Sequence, residues 1–135
     1  MSLGESAAHS FTVDDPASGR SLTARVSELG QDLVVAIGGG ERPHVGCVVL
    51  AQPAPATGGP TRWAASCSVL TIPPHKEEPI ARGVAARLAA QCGRVAVVCA
   101  GVHEDRLDRH GIDDYLRLGE RLAEVVAAAY ARPAG

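Results

Sequence analysis

The sequence predicts an α+β fold: a single-domain sandwich in which a mostly antiparallel sheet is followed by a β-α-β-α unit, with two helices packed on the sheet. Three observations predict it. Residues 20–28 alternate, with Leu22, Ala24 and Val26 on one side and Ser21, Thr23, Arg25 and Ser27 on the other, the period of a half-buried strand. Leu33–Ile37 and Val95–Ala100 are short and free of charge, as buried strands are. Ile80, Val84 and Leu88, and later Ile112, Leu116, Leu122, Val126 and Tyr130, recur at helical spacing.

The elements follow in order. Residues 1–18 form a polar N-terminal segment in which Ser10–Val13 makes a short opening strand, and the domain proper runs over 19–132. After the alternating strand, Leu29–Asp32 supplies a turn. The glycines at 38–40 break the next strand, and Val45–Ala51 resumes it, so the pair reads as a hairpin. Residues 52–61 are rich in Pro and Gly and read as a long exposed loop. Trp63–Ile72 is the next strand, stopped by Pro73 and Pro74. Glu77, Glu78 and Pro79 suit the start of a helix over 79–92, which Gly93 closes. With the strand at 95–100, covered on both faces, this makes a right-handed parallel crossover. The last helix covers 112–131.

Composition narrows the function. The chain has 135 residues, 46% of them apolar and 21% charged, with a net charge of −2. That length supports a real core without staples, and that charge argues against an electrostatic nucleic-acid binder. Cys47, Cys67, Cys92 and Cys99 form no C-x-x-C pair, which removes a zinc ribbon and a secreted disulfide framework. Reduced core thiols in a cytoplasmic protein are the expectation. The start of the chain lacks the pattern of a signal peptide, and no apolar run has the length of a membrane span.

Three strands each run into a polar turn with a histidine: His44, His75 and His103. Strands that deliver such turns to one rim build a binding site. At the first turn, Gly38, Gly39 and Gly40 let backbone amides approach an anion, and Arg42 offers a planar fork to phosphate. The same turn also reads as a flexible hairpin, with neither a Walker loop nor a dinucleotide fingerprint. At the second, His75 and Lys76 precede a helix N-terminus, a place that favours anions or serves as a plain cap. The histidines with Glu104 have the atoms to hold zinc or iron, but no H-x-x-x-H pair is present. A nucleophile at Ser66–Ser68 would lack the exposed elbow such chemistry uses.

Three blocks carry a resemblance: GGGERPHVG at Gly38–Gly46, SCSVLTIPPHKE at Ser66–Glu77 and AGVH at Ala100–His103. Together they resemble the prenylated-flavin chaperone family, the LpdD-like group associated with UbiD-type decarboxylases, over about residues 20 to 130. The resemblance implies a non-catalytic homodimer that binds prenylated FMN as cargo and delivers it to a decarboxylase. It also implies a fold similar to proteasome-assembly-chaperone domains. Under it, Gly38–Gly40, Arg42 and Lys76 hold the phosphate, while His44, His75 and His103 contact the polar edge of the ring or the ribityl chain, and Ser68 is a further cofactor-binding candidate. Glu104 and Asp105 depart from that picture by repelling phosphate, and only Trp63 and Tyr115 are aromatic candidates to stack on the ring. Two rival readings remain open. One is a decarboxylase subunit in which His75 or His103 transfers a proton; the other is a structural assembly chaperone that binds no small molecule.

Overall fold

Eight elements account for most of residues 8–55, 63–73 and 77–131, the part of the chain described by the computed structural model. They are β1 (His9–Asp14), β2 (Ser21–Leu29), β3 (Asp32–Gly40), β4 (Cys47–Pro55), β5 (Trp63–Thr71), α1 (Glu78–Cys92), β6 (Ala96–His103) and α2 (Arg109–Tyr130). The strands form one sheet in the order β1-β2-β3-β6-β4-β5. All neighbours are antiparallel except β3 and β6. The α+β class is therefore the observed one: a mostly antiparallel sheet with both helices on one face. The polar N-terminal segment contains an edge strand, since β1 pairs with β2 along its length and buries Val13.

The inward residues of each strand make the core with the helices. Leu22, Ala24, Val26, Val35, Val49 and Val98 meet Val84, Leu88, Leu122 and Val126 in one continuous cluster. Glycine closes α1 as expected, Gly93 taking the left-handed conformation and donating its N–H to the Ala89 carbonyl. In α2, Leu122, Val126 and Tyr130 are buried as expected, but the stripe departs from the expected one in the first turns. Gly111, Tyr115 and Leu118 are inside, whereas Ile112 and Leu116 are only half-buried. The helix begins three residues earlier than its apolar spacing suggests, because Asp108 caps it by accepting the Gly111 N–H at 2.9 Å.

Four expectations need correction. First, β3 and β4 are not a hairpin: β6 lies between them, parallel to β3 and antiparallel to β4. The most apolar strand of the chain takes the position where it is paired on both edges, and residues 41–46 become a strap across its end. Second, the glycines do not end β3, which stays in register with β6 through Gly40↔His103. Third, residues 52–55 are strand and not loop, since β4 continues to Pro55 opposite Trp63; residues 56–61 lie outside the described residues. β6 pairing stops at Ala51↔Ala96, so Pro53 and Pro55 sit where one edge of β4 is free and a missing N–H is tolerated. Fourth, β6 is covered on one face only: Ala96, Val98 and Ala100 are buried, but Val97 and Cys99 are half-buried on the other side. The crossover β5-α1-β6 is parallel as expected, although β4 stands between its two strands.

Candidate functional site

Because β3, β5 and β6 point the same way, their C-terminal ends share one rim of the sheet. Residues 41–46 bend over that rim onto the face the helices leave bare. Two small residues make room for them. A Cβ on Gly101 would sit 1.5 Å from the His44 carbonyl oxygen, and one on Gly38 would sit 3.0 Å from the Pro43 Cβ. Gly40, at φ +74, turns the chain into the strap, and the Glu41 N–H then donates to the His103 carbonyl at 2.7 Å.

Beneath the strap lies a cleft of about 620 Å³, with Pro43, His44 and Val45 as one wall. Its floor is Ala36, Gly38 and Cys99, and β2 supplies Thr23 and Arg25 opposite the strap. The small floor residues are what make it a hollow: Ala36 lies opposite both Arg25 and Cys99 in the sheet register. Among the described residues Arg25 makes no hydrogen bond or ion pair. An unpaired guanidinium beside a flat apolar floor is equipped to take an anionic tail attached to a planar ring.

The strap is pinned from below by Glu77. Its side chain is 6% exposed, and Oε1 lies 3.3 Å from His44 Nε2 and 3.4 Å from the Val102 N–H. His44 Nδ1 lies 3.2 Å from the Arg42 carbonyl, so the ring bridges strap and helix. Glu77 stands at the N-cap of α1, but its side chain makes no capping hydrogen bond there. Its other oxygen, Oε2, has no partner among the described residues. No local signal in the sequence marks this latch, which depends on bringing residues 44, 77 and 102 together across the sheet.

At the outer corner of the rim, Arg42, His103 and Asp105 meet. His103 Nε2 is 2.8 Å from both Asp105 Oδ1 and Arg42 Nη2. A single ring nitrogen either donates to the carboxylate or accepts from the guanidinium, so the two contacts alternate with the tautomer. The bond from His103, and then the charge of Arg42, hold the Asp105 carboxyl below its ordinary range. On the helix side of the rim, Arg20 Nη2 bonds Glu104 at 2.8 Å and Arg20 Nη1 bonds Asp114 at 2.9 Å. Tyr115 donates to Glu104 at 2.8 Å. The Arg20 bond dominates in keeping the Glu104 pKa low, while burial chiefly pushes Tyr115 up to about 12. Glu104 is thus neutralised on the helix side and does not face the cleft.

The structure brings Gly38, Gly39, Gly40 and His44 together at the cleft and sets Arg42 and His103 at its corner. Ser68 lies on the same face, but on the edge strand β5, with β4 and β6 between it and β3. His75 and Lys76 lie outside the described residues, as does the Trp63 side chain. Tyr115 is buried under the helices and cannot stack on anything in the cleft. Arg25 and Cys99 also line the cleft, and neither was among the site candidates expected from the sequence. Strand alternation put Arg25 on the polar side of β2, but nothing linear shows that the bare face holds a cleft.

The bare sheet face thus carries a strapped hollow with a cation at its edge. The chain belongs to the prenylated flavin chaperone family, matching the LpdD-like domain over residues 17–131. Chaperones are a non-catalytic class, which agrees with the expectation that this protein is not an enzyme. No curated protein matches the chain. Among solved structures it is similar to a chain of a chaperone complex for yeast 20S proteasome assembly. The identity is 7% and the TM-score 0.44, with 87% of this chain and 98% of that one covered. Among the described residues no helix is long and apolar enough to cross a membrane, and no cluster of metal-ligating side chains is present.

Proposed function

We propose that this protein is a carrier: it binds prenylated FMN in the cleft under the strap and hands it to a UbiD-type decarboxylase in the cytoplasm, working as a homodimer. The observation that carries the reading is the unpaired Arg25 guanidinium beside a floor of Ala36, Gly38 and Cys99 in a cleft of about 620 Å³. That volume lies within the range of small-molecule sites. The ring system lies on the small floor residues, and the phosphate reaches Arg25 with the Ser21 and Thr23 hydroxyls beside it. His44 hydrogen-bonds the polar edge of the ring. Arg42 and His103 guard the corner, with Arg42 drawn away from Asp105 when an anion arrives, and His75 and Lys76, which lie outside the described residues, add to the phosphate contacts. Ser68 contacts a part of the cargo that extends across the sheet. Family membership supports the cargo class, and the open geometry suits release as well as capture.

Anaerobic titration of the full chain with prenylated FMN, and separately with FMN, tests this by native mass spectrometry. Stoichiometric uptake with preference for the prenylated form is expected. Loss of a charge-assisted contact of roughly 1.5–3 kcal/mol should weaken Arg25→Ala at least ten-fold. No uptake of either flavin would overturn the reading in favour of a structural chaperone without a small-molecule ligand.

A further inference from the structure

A second cavity lies at the end of the sheet away from the strap, on the helix side. Strand alternation puts His9 and Phe11 of β1 and Glu28 of β2 on the face that packs against the helices. β6 starts beside the far end of β3, where the Leu33 N–H donates to the Val95 carbonyl at 3.0 Å. Leu33 is the register partner of Glu28, so Arg94, just ahead of that contact, comes next to the Glu28 carboxylate. The last turn of α2 reaches the same place with Ala129, Tyr130 and Ala131. Between these elements is a cavity of about 370 Å³, in the size range of small-ligand sites. Exposed His9, Ala129 and Ala131 leave its mouth open.

The polar atoms of this cavity do not balance. Tyr130 Oη and Arg94 Nε are both buried, and neither has a hydrogen-bond partner among the described residues. Tyr130 is 8% exposed and the Arg94 side chain 16%. Burial, and then the charge of Glu28, push the Tyr130 pKa up, so the phenol keeps its proton and can donate it. A guanidinium only donates. Two buried donors therefore share one cavity without the acceptor they need, and a dry, unpaired donor is costly. Their remaining contacts do not supply one. Arg94 Cζ lies 6.0 Å from the Tyr130 ring centroid, and Nη1 reaches Glu28 Oε1 at 3.4 Å, a long bond to a carboxylate 46% exposed. The fork made by Nε and Nη2 is unused among the described residues.

We infer that this cavity binds a small organic monocarboxylate, whose oxygens accept from the Tyr130 hydroxyl and the Arg94 fork while its hydrocarbon body lies against Phe11. A carboxylate presents two coplanar acceptors, the arrangement that a guanidinium edge matches. Phosphate and sulfate fit less well. Glu28 and the carbonyl end of α2 both place negative charge at the cavity, and a doubly charged ligand would meet both. The Phe11 ring meets the Tyr130 ring edge to face, with centroids 6.1 Å apart. That wall is apolar, so an acid with a short hydrocarbon chain gains contacts that acetate does not. The site lies on the opposite face of the sheet from the strapped cleft and shares no lining residue with it. Acid binding here is thus a separate activity from cargo binding there.

Heteronuclear NMR on the full chain tests this by following the Arg94 Nε–H, with butyrate as the probe and its uncharged analogue butyramide and inorganic phosphate as controls. Butyrate should shift that resonance saturably, and both controls should bind at least ten-fold more weakly. Tyr130→Phe and Arg94→Lys, read at the Phe11 ring protons, should each weaken butyrate at least ten-fold, since each removes a charge-assisted hydrogen bond. Glu28→Gln should tighten it by removing a like charge, and Arg25→Ala, at the cleft, should leave the Arg94 response intact. Tyr130→Phe also separates a ligand donor from a structural one. Without butyrate it should melt at or above the wild-type temperature, because the hydroxyl it loses has no partner. An Arg94 resonance that butyrate does not shift would mean that the cavity holds only water, and would overturn the proposal. Equal binding of butyrate and butyramide, or tighter binding of phosphate, would overturn the ligand class. Tyr130→Phe that binds butyrate as wild type does, or that melts well below it, would overturn the role of the hydroxyl and the site built on it.

Discussion

The two faces of the sheet are built from the same strands with the same alternation, and they differ in everything else. On the helix side, Leu22, Val26, Val35, Val49 and Val98 are fully buried, against α1 and α2. On the other side the intervening residues are Val34, Leu50 and Leu70 in the open and Ala36, Gly38 and Cys99 around a hollow. The covered face is filled to completion and specifies the fold. The bare face alternates large apolar groups with absent ones, which is how a surface leaves room for something else. Stability is thereby carried by one side of the sheet, and the proposed binding falls to the other.

That division is broken most strongly from the covered side. Leu88→Ala empties a fully buried site on α1 and should cost about 2–5 kcal/mol in urea unfolding at every protein concentration. Leu70→Ala, on the bare face, should change the stability of dilute protein by less than about 0.5 kcal/mol. If the two losses were equal, the contrast between the faces would be false.

The strap offers a finer cut. Gly101→Ala drives a Cβ into the His44 backbone, which a flexible side chain cannot absorb. It should cost roughly 1–3 kcal/mol as overpacking does and abolish measurable FMN uptake, because the strap must lift from its wall position. Gly83→Ala meets nothing within 4 Å on the exposed side of α1 and should stabilise by up to about 1 kcal/mol, with uptake unchanged. Thermal melts with a flavin titration read both.

The sequence made the covered face legible, because periodicity speaks to what is buried. β2, β5 and α1 each lie within a residue of where alternation, apolar runs, Pro79 and Gly93 put them, and β6 runs three residues beyond its expected end. The order of strands was not legible: a glycine-rich joint between two apolar strands reads as a hairpin until β6 is seen to insert there. The rim was half legible. That three strands end at one edge was readable from their polar histidine turns. The Glu77–His44 latch and an Arg25 without a partner among the described residues were not, because each depends on a register between segments that no linear spacing encodes.

The latch gives a smaller effect than either glycine or core change. Glu77→Ala removes the acceptor for His44 and for the Val102 N–H. Leaving those donors unpaired should cost about 1–3 kcal/mol, toward the lower end because the exposed His44 can turn to water. Hydrogen exchange should accelerate at Val102 and along the strap while the helix-facing amides of β2 stay protected. Glu77→Gln keeps an oxygen in the same place and should recover most of the protection. Equal exchange in Glu77→Ala and wild type would show that the strap is held by Gly101 and Gly38 packing alone.

The smallest effect separates two adjacent carboxylates that face opposite sides of the rim. Glu104 turns to the helix layer and Arg20, whereas Asp105 turns outward to His103 and Arg42. Both have folded-state pKa values below their ordinary ones. On acidification the unfolded chain therefore takes up the proton first, near pH 4. Each group's contribution is complete above that point and is lost as pH falls through its folded value. Only Glu104 lies in a part-buried network, with its side chain 20% exposed against 65% for Asp105. Glu104→Gln should lower the melting temperature at pH 7 and flatten its decline between about pH 5 and pH 3. Asp105→Asn should change stability by less than about 1 kcal/mol, and in about 1 M salt by nothing measurable, because exposed pairs are screened. A salt-resistant loss at Asp105 would mean that its pair with His103 is shielded from solvent and not exposed at the rim.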